Sequence, residues 1–460
     1  MAKIGKKSSV TDMTVGSPLK HIVTFAVPLM IGNMFQVFYN MADALIVGRT
    51  IGVDALAAVG AAGAIMFFML GFINGAASGF AIIVSQRFGA GDYDGVRRSV
   101  AMGTMLCVLA SVMFTIIAVI SARPLLELMN TPANIIDDTY NYIIVIYYGI
   151  TPFLFYNYLS SIIRAVGDSK TPLYFLLVAT ILNVILDIVF ITVFHMGVAG
   201  AGLATIIAQG ISAILCVFVI IKKMPLLKPH KEDWKWNNRL AGRHLAMGIP
   251  MGVQNSIISM GSMVVQTVLN SFGSTVIAGF TAACKVDQFL VQPIMSFGVT
   301  MATYVGQNFG ARNMARIKEG VKKCTIIVTV FCLAGSAVLV LFGRNISELF
   351  VGAGHVDIIE TAQTYLNIEA MFFLILGYLL VYRSSLQGMG KSVVVMTGSI
   401  LELGARVFFA LVLGRGAMGY VGVCLAGPMA WVAAGVLFIT AYAIYIKKDT
   451  LEFERLSHIE

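Results

Sequence analysis

The first long apolar segment of the chain carries polar side chains at a helical spacing. It reads IGNMFQVFYNMADALIVG, and its polar residues are separated by three, four and three positions: Asn33, Gln36, Asn40 and Asp43. On a helix this spacing places all four side chains on one face. An acid inside a membrane span is costly and commonly marks a functional site. The segment therefore predicts an ion or proton site at Asp43, and the other three polar residues on the same helix face are expected to contribute to it.

Two later apolar segments carry matching polar pairs. Asn183 and Asp187 are four residues apart in TILNVILDIVFI, and Thr205 and Gln209 are four residues apart in AGLATIIAQ. The oxygens of these side chains are ligands that suit Na⁺. Two neighbouring buried carboxylates would equally bind a proton. The alternative for Asn183 and Thr205 is that they join helices by hydrogen bonds. For Asp43 and Asp187 we expect a functional role.

The second half of the chain has charges of its own. They lie in AACKVDQFL, in a later segment and in LELGARV: Lys285, Asp287, Glu369, Glu402 and Arg406. One interpretation is neutralising pairs, such as Glu402 with Arg406 at the i,i+4 spacing. The other is a wall of the substrate path or a second charged network. We identify no nucleophile–base set for catalysis and no metal-ligand spacing apart from the possible Na⁺ site.

The elements that position these residues must be membrane helices. Apolar residues make up 58% of the 460 residues and charged residues 12%, whereas soluble domains carry about 25% charged residues. This composition excludes a soluble enzyme and a disordered chain. A membrane helix needs about 20 apolar residues. Twelve segments qualify: 18–48, 53–86, 97–121, 139–163, 172–194, 198–221, 241–271, 275–308, 319–342, 359–386, 392–414 and 418–446.

The chain repeats itself at one offset. Four sequence pairs recur in order, 221 to 223 residues apart: FAVPLMIGN with MGIPMGVQN, VSQRFGAGD with VGQNFGARN, IIRAVGDSK with SLQGMGKS, and GVAGAGLAT with GYVGVCLAG. The pattern predicts an all-α membrane protein built from two parallel repeats of six helices, residues 18–221 and 241–446, joined by a linker at 222–240. Such repeats commonly hold a substrate site between them.

Basic residues set the orientation of the spans. With the N-terminus in the cytoplasm, 26 of the 32 Lys and Arg residues lie on the cytoplasmic side and 4 on the other side. Positive residues favour the cytoplasmic side, so the tails 1–17 and 447–460 are both predicted to be cytoplasmic. This distribution also accounts for the net charge of +9 without nucleic acid.

Proline residues occupy matching points of the first and seventh predicted spans. Pro28 and Pro250 lie 222 positions apart. A proline inside a helix removes a backbone hydrogen bond and bends the helix. Pro28 is either a hinge that responds to the charge on Asp43 or a static kink, and the sequence leaves both interpretations open.

The opening FAVP…YNMADALIVGR, SQRFGAGD, RAVGDSKTP, LNVILD, KVDQF and QGMGK resemble the multidrug and toxic compound extrusion (MATE) family, specifically its bacterial DinF-like multidrug branch. The likeness covers residues 17–446. It implies a V-shaped pair of lobes and a cation-coupled antiporter. It also implies a cation site formed by four residues of the first lobe and a bending proline: Asp43, Asn183, Asp187, Thr205 and Pro28. Another branch uses acids of helices 7 and 10, but helix 7 here has none.

We therefore expect an H⁺- or Na⁺-coupled antiporter that exports cationic amphiphilic compounds across the bacterial cytoplasmic membrane. It would need no cofactor, would bind lipid and small organic cations, and would act as a monomer. The alternative is a lipid-linked oligosaccharide flippase, which would need a strongly cationic central cavity for its phosphate headgroup. A membrane enzyme or a receptor explains the two acids less well. Dependence of activity on an ion gradient would separate the transporter from these last two classes.

Overall fold

The computed structural model describes residues 10–457 except 130, 353 and 417, and these residues are almost entirely helical. Its thirteen α-helices have the following bounds: α1 Pro18–Thr50, α2 Val53–Gly89, α3 Tyr93–Leu128, α4 Ile136–Tyr148, α5 Ile150–Ala165, α6 Lys170–Ile188, α7 Gly197–Lys223, α8 Asn238–Leu269, α9 Ser274–Gly310, α10 Met314–Val351, α11 Val356–Gly388, α12 Ser392–Val412 and α13 Gly419–Ser457.

These helices confirm the predicted fold class, an all-α protein with many membrane spans. Within the described residues, ten helices are long and apolar enough to cross a membrane, and α4 with α5, bent by 51°, makes an eleventh. When α4 and α5 are counted as one span, the thirteen helices correspond to the twelve predicted spans. The helix α13 continues to Ser457 and includes most of the predicted tail 447–460. Residues 1–9 and 458–460 of the two predicted tails lie outside the described residues.

The chain divides into two compact units. Unit 1 contains Pro28–Ser256 and the described residues up to Asp12, and unit 2 contains Met13–Val27 and the chain from Ile257 onward. The division falls at Pro28 in α1 and six residues beyond Pro250 in α8. The helices α1 and α8 therefore each contribute residues to both units. The predicted repeat boundary within residues 222–240 stays a prediction.

Equivalent turns join α2 to α3 in unit 1 and α9 to α10 in unit 2. Each turn has a residue of positive φ, Gly91 at 71° and Arg312 at 55°. Each is followed by an N-cap, Asp92 or Asn313, whose side chain accepts from the backbone N–H three residues on, at 2.8 and 3.2 Å. These caps satisfy backbone donors that a helix start leaves unpaired. The repeated motifs GAGD and GARN thus form the same tight turn in both units.

Small residues bring α2 and α8 together inside unit 1. A Cβ added to Gly79 of α2 would lie 2.7 Å from Cα of Gly248 of α8. Asn255 Nδ2 also donates to the Gly71 carbonyl at 3.2 Å. Glycine residues at the contact allow two membrane helices to approach each other this closely. The crossing holds the N-terminal part of α8 against α2.

Three helices of unit 1 carry the predicted acid site: α1, α6 and α7. Gly32 of α1 lies opposite Leu173 and Leu176 of α6, whose side chains would be 3.4 and 3.5 Å from an added Cβ. Immediately after Ile188, the α6 helix widens into a π-helical turn over Val189–Val193. Such turns commonly occur at functional sites. Asp187 therefore lies at the last regular turn of α6.

Candidate functional site

Two carboxyl groups from different helices meet inside unit 1. Asp43 of α1 and Asp187 of α6 lie within hydrogen-bonding reach of each other. Asp187 is fully buried and Asp43 is half-buried. In each carboxyl group the Oδ1 atom is buried, and no hydrogen-bond donor reaches it within the described structure. Two adjacent carboxylates repel each other when both are charged, so this arrangement requires a shared proton or a bound cation.

Asn183 connects the acid pair to α7. With its amide oriented so that both polar ends are paired, Nδ2 donates to Asp187 Oδ2 at 2.9 Å. In that orientation Oδ1 accepts from the Thr205 backbone N–H at 3.1 Å. Asn183 is fully buried, and a buried amide left without partners would cost free energy. The predicted trio Asn183, Asp187 and Thr205 is therefore brought together in the structure.

Two tyrosines that the sequence analysis did not identify also belong to this site. The Tyr39 hydroxyl lies 3.3 Å from Thr205 Oγ1, which itself donates to the Ala201 carbonyl at 3.1 Å. Tyr39 and Tyr142 both lie within electrostatic range of the two acids. Tyr39 precedes Asp43 by four residues, and this helical spacing was an available signal. Tyr142 lies on α4, and no local spacing links it to the acids.

The predicted polar stripe is divided between the interior and the surface of unit 1. Asn40 is exposed and accepts from Gln36 Nε2 at 3.2 Å, whereas Asn33 is half-buried. Gln36 and Gln209 line a cavity of about 10 Å³ together with Tyr39, Asn183 and Thr205, roughly the size of one water molecule. The Oε1 atom of Gln209 is buried without a donor in the described structure. Gln36 and Gln209 thus adjoin the acid site, and Asn40 lies away from it.

Unit 2 contains a second pair of buried acids. Glu369 of α11 and Asp287 of α9 are close enough to interact electrostatically, and Tyr365 hydrogen-bonds to Glu369. Glu369 is 2% exposed. One oxygen of each acid is buried without a hydrogen-bond partner among the described residues. The sequence offset does not indicate this pair, because the positions equivalent to Asp43 and Asp187 lie on α8 and α12, whereas Asp287 and Glu369 lie on α9 and α11.

The remaining predicted charges of unit 2 occupy different environments. Arg406 Nη2 donates to Glu402 Oε1 at 3.0 Å on α12, which agrees with one predicted neutralising pair. Lys285 is exposed, and no ion pair with Asp287 is found in the described residues. Side chains two positions apart on a helix do not face each other, so Asp287 turns toward Glu369 instead. The structure therefore contains the Glu402–Arg406 pair and places Asp287 near Glu369 rather than in a pair with Lys285.

The described residues contain no group of three or more His, Cys, Asp and Glu side chains that could hold a metal ion. The oxygens available at the first acid pair are those of Asp43, Asp187, Thr205 and the tyrosines. Asn183 turns its NH₂ group toward the acid, so it donates a hydrogen bond there and supplies no oxygen ligand. This arrangement is suited to holding a proton between carboxyl groups.

Comparison with known proteins gives consistent matches. The family model described as MatE matches residues 28–189 and 250–412, two segments at the offset of the predicted repeat. The chain is 30% identical to the "Probable multidrug resistance protein YpnP" of Bacillus subtilis over 393 residues, 85% of this chain and 87% of that protein. It is 22% identical to the "Multidrug export protein MepA" of Staphylococcus haemolyticus, covering 96% and 97%. A solved structure described as "Crystal structure of MATE in complex with MaL6" has a TM-score of 0.89 at 22% identity, covering 96% and 99%.

Proposed function

The chain belongs to the MatE family of membrane transporters, and from this premise we propose that it is a proton-coupled antiporter that exports organic cations. Members of this family are secondary transporters rather than enzymes. Secondary transport needs a group that binds the coupling ion in one state and releases it in another. The proposal assigns that role to Asp43 and Asp187.

The acid pair is the observation that carries this proposal. When a proton lies between the carboxyl groups of Asp43 and Asp187, their close approach is stabilised by a hydrogen bond. When the proton leaves, two negative charges face each other in a buried site. The repulsion then favours separation of α1 from α6. Protonation and deprotonation would thus favour different positions of α1.

The position of Asn183 favours H⁺ over Na⁺ as the coupling ion. Na⁺ is bound by several oxygen ligands, as other hard cations are. In the orientation that pairs both ends of its amide, Asn183 directs its NH₂ group at Asp187, and its oxygen accepts from the Thr205 N–H. A donor aimed at the carboxylate stabilises a negative charge or a shared proton, but it would repel a metal ion. Sodium binding would require the Asn183 amide to turn over.

Coupling to the exported compound follows from thermodynamic linkage. A proton and a drug exchange if each binds preferentially to a different state of the transporter. Pro28 lies 15 residues before Asp43 on α1, and it interrupts the backbone hydrogen bonds of the helix. We propose that α1 bends at Pro28 when the charge on Asp43 changes. The compound then leaves on the side from which the proton enters.

The class of exported compound is inferred from the related proteins and from charge. Two of the matching proteins are named for multidrug resistance or multidrug export. An organic cation exchanges for a proton without adding net charge to the site. A flippase for a phosphate-linked lipid would instead need unneutralised cations in its path. Arg406 is paired with Glu402, which leaves Lys285 as a single predicted mid-span cation without an ion pair in the described residues. One such charge is less than a strongly cationic path needs, which favours the multidrug exporter over the flippase.

Transport in reconstituted vesicles tests the proposal. Proteoliposomes would contain the wild type, Asp43→Asn, or Asp54→Asn. Asp54 is exposed at the start of α2, so its variant makes the same substitution away from the site. Ethidium movement would be followed by fluorescence under an imposed pH gradient and, separately, an imposed Na⁺ gradient. We expect the pH gradient to drive movement in the wild type and in Asp54→Asn, and Asp43→Asn to be inactive.

Three other results would contradict parts of the proposal. Movement driven by Na⁺ and not by pH would replace H⁺ by Na⁺ as the coupling ion. Full activity of Asp43→Asn would remove the acid pair from the mechanism. If folded wild-type protein moves no ethidium under either gradient, then broad export of organic cations is contradicted, and the flippase or an exporter with a narrow substrate range becomes the better hypothesis.

A further inference from the structure

A basic cavity of about 350 Å³ lies in unit 1, away from the acid pair. It is formed where α2 ends, where α3 begins and where the chain enters α8. Five cationic side chains line it: Arg87, Arg98, Lys235, Arg239 and Arg243. By the predicted orientation this end of the helices faces the cytoplasm. We call it the basic cavity below.

The positive charge of the basic cavity exceeds what its own acids neutralise. The acids in its lining are Glu232 and Asp233, two against five cations. Asp233 is already engaged, because it lies 3.5 Å from Arg97 Nε and accepts from the His230 backbone N–H at 2.8 Å. With Asp233 engaged by Arg97, five cations face one other acid, Glu232, so the cavity is strongly cationic.

Some cations of the cavity are close enough to repel one another. Arg87 lies within electrostatic range of both Arg98 and Arg243. Asp92 is 3.6 Å from Arg87 and offsets part of this repulsion. An anion placed between the guanidinium groups would offset the rest. Arginine in particular donates in pairs to the oxygens of a phosphate, so the composition of the cavity favours a phosphate group.

The surroundings of the cavity place it at the edge of the lipid. Trp234 and Trp236 flank it and are 45% and 51% exposed. Trp236 Nε1 donates to Asn238 Oδ1 at 2.6 Å. Exposed tryptophans are enriched where a membrane meets water. Farther along α3 the exposed side chains are apolar, including Val108, Leu109 and Val112, so the lipid-facing surface continues from the cavity.

We propose that the basic cavity binds the phosphate of an anionic phospholipid headgroup. Arg239 and Arg243 are exposed and would donate to the phosphate oxygens, while the tryptophans contact the glycerol and the first acyl carbons. Basic pockets beside membrane helices bind anionic headgroups in this way. The site shares no residue with the acid pair, so the proposal is independent of the antiport mechanism.

Quenching of tryptophan fluorescence provides a direct measurement of lipid binding. The chain has three tryptophans, and Trp431→Phe leaves only the two beside the cavity. Detergent-solubilised protein would be titrated with phosphatidylglycerol brominated near the headgroup end of its acyl chains, or with equally brominated phosphatidylcholine. We expect saturable quenching at about tenfold lower concentration of the anionic lipid, because each basic residue near an anionic headgroup strengthens binding.

Removal of positive charge would test whether Arg239 and Arg243 bind the lipid phosphate. Arg239→Gln with Arg243→Gln should weaken phosphatidylglycerol binding about tenfold or more. Lys318→Gln with Lys322→Gln removes the same charge from exposed positions on α10 and should change nothing. Melting temperatures of all variants would show that they are folded, and the comparison of the two lipids needs no substitution within the cavity.

The outcomes separate the possible ligands. Equal quenching by both lipids would overturn the proposal, as would unchanged binding after loss of Arg239 and Arg243. If submillimolar inorganic phosphate relieves the quenching, the cavity is a site for free phosphate rather than for lipid. Preferential quenching by phosphatidylglycerol, resistant to phosphate and sensitive to the two arginines, would support the proposal.

Discussion

The Asp43 and Asp187 carboxyl groups face each other across the contact between α1 and α6, although they are far apart in the sequence. Gly32, about three turns earlier on α1, packs against Leu173 and Leu176 of α6, so the helices that carry the two acids are also packed together at this level. A change in the charge of the acids therefore acts on the packing of α1. This relationship makes the pair suitable for coupling ion binding to helix movement.

The first prediction concerns the partner of Asp43. Asp187→Asn should reduce gradient-driven ethidium movement to the level of protein-free vesicles, because an amide cannot release a proton. The double variant Asp43→Asn with Asp187→Asn should lose no more than either single variant, since residues that act as a unit are not additive. The vesicle assay measures both. Partial activity in each single variant, with a further loss in the double variant, would show that the acids act separately.

The second prediction separates two asparagines that the sequence presents alike. Asn183→Ala leaves Asp187 Oδ2 without the amide that donates to it in the buried site, at a cost of about 1–3 kcal/mol. We expect a lower melting temperature and roughly tenfold slower transport, if the lost hydrogen bond contributes about 1.4 kcal/mol to the active state. Asn40 is exposed, so Asn40→Ala should remain within about 0.5 kcal/mol of the wild type. Equal losses in the two variants would contradict the assigned geometry.

Hydropathy and charge were enough to predict most of the fold. Apolar segments of sufficient length gave the helices, since no other structure satisfies the backbone in lipid except a closed barrel. The seventh predicted span is an informative case. The helix α8 forms over Asn238–Leu269, yet it is not among the helices that pass a test of apolar composition. Residues 241–271 were predicted as an apolar segment, and the match of MGIPMGVQN to FAVPLMIGN of the first span supports that prediction.

The candidate site was predictable where its residues lie one helical turn apart. Asn183 and Asp187 share a face of α6, and the cost of burying an acid pointed to Asp187. Contacts between helices were harder to predict, because one sequence contains no direct information about which faces pack together. Tyr142 and the approach of Asp287 to Glu369 are examples. The exposure of Asn40 is another, since periodicity places a residue on a face and does not say what covers that face.

A third prediction concerns Pro28. Pro28→Ala restores a donor to the carbonyl of Thr24, one turn earlier, and should straighten α1. If bending at this point is part of the transport cycle, ethidium movement should fall several-fold while the melting temperature stays equal or rises. Pro124 lies inside α3 and is exposed, so Pro124→Ala is the matched control and should transport normally. Normal transport by Pro28→Ala would instead show that Pro28 forms a static kink.

The last prediction concerns the crossing of α2 and α8 within unit 1. A Cβ at Gly79 would lie 2.7 Å from Gly248 Cα and 2.8 Å from the Met247 carbonyl oxygen. Both are backbone atoms, so neither can move aside as the end of a flexible side chain can. Gly79→Ala should therefore separate the two helices, with a loss of about 1–3 kcal/mol for overpacking and a lower melting temperature in detergent.

The same helix provides the control for this substitution. Gly60 lies on α2, and an added Cβ there would meet no atom within 4 Å in the described structure. Gly60→Ala gains helix propensity of up to about 1 kcal/mol, so its melting temperature should equal or exceed that of the wild type. Because both variants make the same change on one helix, propensity alone would shift them in the same direction. Opposite shifts would therefore identify the contact with Gly248 as the cause, and equal shifts would show that the crossing has room for a methyl group.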